Sequence, residues 1–216
     1  FFVMVELGAL VMVNPPEGWK PEGWSPPPPK AGEKHSKGSL DFLPNEMLKK
    51  PQFYGLWAMF IFSAGAGLMT IGIIKLFGID ALTAGGLDVD KANVITGTAM
   101  GLFYALMNGF GRIAWGWISD RTGRKLAIVL MTAAQGVMMI LFYFIGGSQV
   151  GLYVGAAIIG FNFGGNFALF PAATADYFGN KNVGTNYPWV FMAYGVGGVI
   201  GPILGLFSDA ESILQV

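Results

Sequence analysis

Residues 116–125 read GWISDRTGRK, and the fold is decided by how they are read. Their pattern is Gly116-x-x-x-Asp120-Arg121-x-Gly123-Arg124-Lys125. On either side lie Ala92–Ser119 and Leu126–Gly146, which hold a single charge between them, Arg112. Each flank is long enough to cross a bilayer, which takes about 20 apolar residues in a helix. A short charged turn between two such runs is a loop at a membrane surface. Gly123 can take the positive φ of a tight turn. Asp120 closes a helix, where it can face a neighbouring helix N-terminus or an arginine. Arg121 and Arg124 are then open to charge-assisted bonds with carboxylates of another domain. An ordinary basic loop would explain the charges but not the glycine spacing.

Three more stretches have the same character: Phe53–Ile74, Val150–Ala173 and Tyr187–Phe207, none holding Asp, Glu, Lys, Arg or His. Composition agrees. Charged residues are 12% of the 216, against about 25% in soluble domains. Mean hydropathy is +0.54. Gly supplies 33 residues, as suits helices packed closely in lipid. A soluble enzyme, a disordered chain and a disulfide scaffold are excluded. A formal net charge of +0 offers no field for nucleic acid. With no Cys, no intramembrane His and no base beside Ser63, neither an intramembrane enzyme nor a cofactor is expected. The expected fold is an all-α membrane protein: a partial helical bundle with five complete transmembrane helices and the end of a sixth.

That sixth is residues 1–13, too short to span and without the basic leader of a signal peptide. We read it as the end of a truncated transmembrane helix, and Ser208–Val216 as a loop that stops early, so the chain reads as a fragment. Residues 14–51 form a Pro-rich linker holding nine of the 12 prolines and a repeat, PEGW at 16–19 and 21–24. Proline favours extended polyproline geometry there, a stiff connector with Trp19 and Trp24 at the interface. His35 reads as solvated. Residues 52–216 are the incomplete C-terminal bundle.

Cations set the orientation. Of 13 Lys and Arg, ten fall on one side of alternating spans: six in 14–51, then Arg121, Arg124, Lys125 and Lys181. The opposite loops hold Lys75 and Lys91 against Asp80, Asp88 and Asp90. Positive loops stay inside, so 14–51, 116–125 and 174–186 are expected in the cytosol of a multi-pass protein of the cell (inner) membrane.

Arg112 is the candidate binding residue. It lies eight residues before Asp120, about 12 Å deeper along a helix. A cation at that depth costs on the order of 2.5–3.5 kcal/mol and normally faces a cavity or a partner. Stepping back by fours gives Asn108 and Tyr104, one polar stripe. A neighbouring stripe, Gly97, Gly101, Ala105 and Gly109, would let another helix approach. A guanidinium beside an amide and a phenol suits a small organic carboxylate held bidentately. Supporting candidates are Asn162 and Asn166 beside Gly160 and Gly164, Tyr194 with Tyr187 and Phe191, and Ser63, Gly67 and Thr70. Leu126–Gly146 offers Thr132 and Gln135 and reads as a peripheral support helix.

The 116–125 motif resembles the signature of the major facilitator superfamily of secondary transporters. NPPEGWKPEGW at 14–24 and DYFGNKNVGTNY at 176–187 resemble the oxalate/formate antiporter family within it. Gly197-x-x-x-Gly201-Pro202-x-x-Gly205 is similar to the superfamily's glycine–proline motif and implies helix packing. The resemblance implies that the five spans are helices seven to eleven of twelve. It implies that two bundles rock about a central site in the bilayer. It makes the loop of Gly116, Asp120, Arg121, Gly123, Arg124 and Lys125 a conformational latch against the missing N-terminal half. The N-terminus of the last span, near Asn186 and Pro188, would face the equivalent latch of that half. In the family's oxalate exchangers a basic residue of helix eleven complements the helix-eight arginine. Here Tyr194 stands in that stretch, VFMAYGVGG, and the span holds no Lys or Arg. One buried cation balances one carboxylate, which favours a monocarboxylate over oxalate. The expected function is secondary transport of small carboxylates (formate, lactate or oxalate-like) by antiport or proton symport. The alternatives are a proton-coupled exporter of drugs or other metabolites, or a sensor or scaffold docking through the Pro-rich loop.

Overall fold

The computed structural model describes residues 2–13, 16, 19, 22, 23 and 40–213, with residues 202 and 204–213 described by backbone alone. Most of both PEGW repeats, the proline run and His35 lie outside the described residues, as do the packing roles expected of Pro202 and Gly205. The chain divides into two units, Phe1–Ser36 and Lys37–Val216. The first carries α1, Phe2–Val11, an apolar helix of 10 residues that buries none of them.

The second unit is all helix and turn among its described residues. A short α2, Pro44–Met47, precedes α3, Pro51–Ala84, which has Pro51 in its first turn, where a missing N–H costs nothing. α4, Val89–Thr98, starts at Asp88, whose carboxylate accepts from the Asp90 and Lys91 amides. It runs into a π-helical segment, Ala99–Tyr104, and then α5, Ala105–Thr122. Gly123, at φ +89°, turns the chain into α6, Arg124–Ile145. Ser148 caps α7, Gln149–Phe178, and Gly179, at φ +96°, leads towards α8, Val183–Ile213. These make five long helical runs, as expected. Among the described residues, α3, α6 and α7 are each long and apolar enough to cross a membrane. α5 falls outside that group because Arg112, Asp120 and Arg121 break its apolar character. α3 extends past the expected limit at Ile74. Its 34 residues span about 50 Å, so it projects beyond a hydrocarbon core of about 30 Å.

α7 is the central post, with 61% of its apolar window buried against 39% for α3 and 28% for α6. α5 and α6 pack on it and α8 packs mainly on α3. The low burial of α6 matches a peripheral helix. Two cores result. One, at the Lys-rich end, gathers Met47, Phe60, Met131, Phe170 and Phe178; the other gathers Ile74, Tyr104, Met138, Leu152 and Phe163. Tyr194 packs against both. Outward-facing side chains are apolar too: Phe62, Ile113, Tyr143 and Phe144 are exposed. Such a shell suits lipid.

Glycines set the helix approaches within the described residues. Gly97, Gly101 and Gly109 face open space, and Ala105 is exposed. All four positions lie on a face that no other described helix covers. The actual seat lies on α7. A Cβ at Gly160 would meet the Tyr104 backbone, and one at Gly164 would overlap the Asn108 carbonyl. Gly111 of α5 sits just as tightly on the Phe161 carbonyl. Gly197 and Gly201 do pack closely: a Cβ there would come within 2.6 Å of Ile61 O and 3.0 Å of Gly65 O, both on α3.

The end of the linker is strapped to the α7–α8 turn. The Phe42 amide donates to Phe178 O (2.9 Å), and the Phe42 carbonyl accepts from Asn182 Nδ2 (3.1 Å) and Asn186 Nδ2 (2.9 Å). The Phe42 ring meets Phe178 edge-on at 6.4 Å and lies under Lys50 Nζ at 5.0 Å. Asn186, expected to face another half, is instead fully buried in this strap, while Pro188 is exposed. Phe42→Ala is expected to lower stability by about 1–2 kcal/mol, since the ring is only half-buried, and to speed tryptic cleavage after Lys49. An unchanged cleavage rate would show that the strap is held without the ring.

Candidate functional site

Arg112 stands at mid-helix in α5, exposed on the bundle. Its Nη2 donates to Asn108 Oδ1 (3.2 Å), one turn earlier. Its Cζ lies 4.6 Å from the centroid of Phe167 on α7, a cation–π distance. Neither ion pair among the described residues involves it. A guanidinium has five N–H donors in a planar fork. One is used here, so the rest can take an anion.

Phe167 belongs to an aromatic patch that gathers other candidates. Phe163 lies 5.5 Å from Phe167, 6.2 Å from Tyr104 and 6.3 Å from Tyr194. Phe167 lies 5.8 Å from Tyr194, which stacks on Phe191 at 5.1 Å. Arg112, Asn108, Tyr104 and Tyr194 therefore meet around two phenylalanines. The stripe is graded: Arg112 is exposed, Asn108 half-buried, and Tyr104 buried, with no partner for its hydroxyl among the described residues. Sequence reasoning missed Phe163 and Phe167. Their signal was a four-residue spacing beside Gly160 and Gly164, which allows one face to carry both seats and rings.

Asn162 and Asn166 lie elsewhere, both buried. Asn166 Oδ1 accepts from the Ser63 hydroxyl of α3 (2.7 Å). Thr70 donates to Ala66 O and Met139 Sδ, and Gly67 is filled by the Phe163 ring. This face of α3 is interhelical glue rather than a lining. Met131 abuts Gly165 and Phe142 abuts Gly155, an antiparallel register that sets Gln135 of α6 level with Asn162. Both amides are buried, and neither has a partner for its nitrogen among the described residues.

The 116–125 loop is tied to its own bundle. Arg124 Nη1 bonds Asp120 Oδ1 and Ser119 Oγ, both at 2.8 Å, and its Nε bonds Asp176 Oδ2 at 2.9 Å. Three of Arg124's five N–H donors are thus taken within this bundle, and the two on Nη2 have no partner among the described residues. Arg121 lies over the Trp117 ring at 3.6 Å. Lys125 is exposed, and Gly116 lies against Ala168 of α7. Asp176 was missed, although it is the one acid between Asp120 and Asp209. Side-chain exposures of 19% for Arg124 and 25% for Asp176 make this more than a surface pair. Asp176→Asn is expected to cost about 1–3 kcal/mol by thermal unfolding, and Arg124→Gln added to it little more, because one network is lost once. Additive losses would dismiss the network.

Long apolar helices, with a mid-helix guanidinium that has no ion-pair partner among the described residues, define a multi-pass membrane protein. The chain belongs to the Major Facilitator Superfamily, whose family model matches residues 1–204. It is 30% identical over 174 residues to an uncharacterized MFS-type transporter, YhjX, of Escherichia coli (strain K12), covering 79% of this chain and 41% of that protein. It is 30% identical to the oxalate:formate antiporter of Oxalobacter formigenes, covering 76% of this chain and 38% of the relative. It is also 30% identical to apicoplast pyruvate carrier 1 of Toxoplasma gondii, covering 64% and 25% respectively. The chain spans about two fifths or less of the length of these relatives. Their names describe transporters, carriers and an antiporter, not enzymes.

Proposed function

We propose that this chain supplies the C-terminal bundle, residues 52–216, of a secondary active transporter. It would carry small carboxylate anions by alternating access, through antiport or proton symport. Residues 1–13 would be the end of a preceding membrane helix and 14–51 a connector to an N-terminal half. The loops at 14–51, 116–125 and 174–186 would face the cytosol of the cell (inner) membrane. Cation asymmetry supports that orientation. The observation that carries the substrate class is Arg112: charged, exposed, without an ion-pair partner among the described residues, and flanked by an amide and an aromatic patch. Relatives named for oxalate, formate and pyruvate support it. A single cation balances one carboxylate, so monocarboxylates are the favoured cargo.

Counterflow in proteoliposomes of the full-length protein tests this. Labelled formate, lactate and pyruvate should exchange faster than oxalate. Exchange of oxalate alone would overturn the monocarboxylate assignment, and exchange of none would overturn the carboxylate class.

A further inference from the structure

A groove of about 160 Å³ opens between α3, α6 and α7, lined by Gln52, Leu56, Met59, Lys125, Ile128 and Tyr177. It is separate from the Arg112 patch, and its lining changes character with depth. Gln52 and Lys125 are the second residues of α3 and α6, and Tyr177 is the last but one of α7. These polar groups form the mouth. Leu56, Met59 and Ile128 continue inward, Met59 lying about 10 Å along the helix from Gln52. The order is polar then apolar, which is that of a phospholipid entering from its headgroup. The volume holds about five water-sized groups, enough for the first few carbons of an acyl chain.

The charge around the mouth is mixed but net positive, with Lys49, Lys50, Arg124 and Lys125 against Glu46, Asp120 and Asp176. Lys125 is exposed and takes part in neither ion pair among the described residues. Lys49 and Lys50 immediately precede α3. The nearby acids are committed: Asp120 and Asp176 to Arg124, and Glu46 to the Leu43 amide. Exposed Leu126 and Val129 beside the groove turn its rim toward lipid. Basic pockets between transmembrane helices select anionic headgroups.

We propose that this groove is a binding site for one anionic phospholipid, its phosphate at Lys125 and Tyr177 and its first acyl carbons along Leu56, Met59 and Ile128. The site requires only that the helices span a membrane, and stands apart from any cargo at Arg112.

The test is native mass spectrometry of the full-length protein in mild detergent, titrated with phosphatidylglycerol or phosphatidylcholine. The protein should retain phosphatidylglycerol roughly fivefold better. Lys125→Gln should erase that preference, and Lys125→Glu should reverse it. Met59→Trp, which fills the apolar floor, should lower retention of both lipids while thermal unfolding shows the fold intact. Met59→Leu serves as the conservative control and should keep retention. A preference that survives Lys125→Glu would overturn the proposal. So would full retention in Met59→Trp, because surface charge alone would then explain binding. Displacement of the lipid by millimolar inorganic phosphate would also overturn it, since a free anion would then be the ligand.

Discussion

Arg112→Gln is expected to lower carboxylate affinity by roughly a hundredfold, about 2.7 kcal/mol, and to abolish counterflow. The side chain offers the one unpaired cation inside the described spans, and its fork is engaged only by Asn108. Glutamine keeps an N–H donor but loses both the charge and the bidentate geometry. Arg112→Lys should recover part of the affinity, to within about tenfold of the parent, because it restores charge without the planar fork or its seat on Phe167. Folding and binding should part company in these variants. Removing an unpaired cation from an apolar span relieves a cost on the order of 2.5–3.5 kcal/mol, so the melting temperature of the cargo-free protein should hold or rise. Substrate-induced thermal shift and isothermal titration read both effects. Near-normal binding by Arg112→Gln would sink the assignment, and a collapsed melting temperature would make Arg112 a structural residue.

Gly164→Val is expected to give the largest loss of stability, more than about 3 kcal/mol, with little folded protein recovered. The atoms that a side chain would strike belong to the Asn108 backbone, which cannot swing aside as a flexible side chain could. The α5–α7 crossing would have to open along its length. Even Gly164→Ala should cost on the order of 1–3 kcal/mol, and Gly111→Ala, facing the Phe161 carbonyl, about as much. Gly109→Ala is the control. That glycine faces open space, so alanine should be neutral or slightly stabilising through helix propensity. Thermal unfolding of the four variants ranks them, and equal effects at Gly109 and Gly164 would refute the crossing. The crossing also places the site: Asn108 rests on Gly164, and Arg112 lies over Phe167 one turn further along α5.

Arg112 was legible from its neighbours in sequence, since a lone cation in a span of 28 residues needs no tertiary information to stand out. Asn108 followed from helical spacing and bonds Arg112, while Tyr104 meets Phe163 of the same aromatic patch. Asn162 and Asn166 looked equivalent by the same spacing, yet they are buried among other helices, one bonded to Ser63. Arg124 looked available because its partner, Asp176, is 52 residues away. Spacing along one helix says which residues share a face. It says nothing about what that face meets.

The sequence by itself determined the class, the spans and the asymmetry of cations, because these depend on local composition and on the cost of placing charge in hydrocarbon. It also carried the 116–125 signature of the superfamily. Only the tertiary structure decided which glycines are seats, which aromatics hold the guanidinium, and which loop arginine is tied down. The reason is physical. In water a helix shows its buried face by being apolar there, but in lipid both the outer and the inner faces are apolar. Hydropathy then cannot tell them apart. What distinguishes them is steric fit between helices distant in sequence, such as Asn108 on Gly164 and Gly197 on Gly65, which appears only when the helices are set side by side.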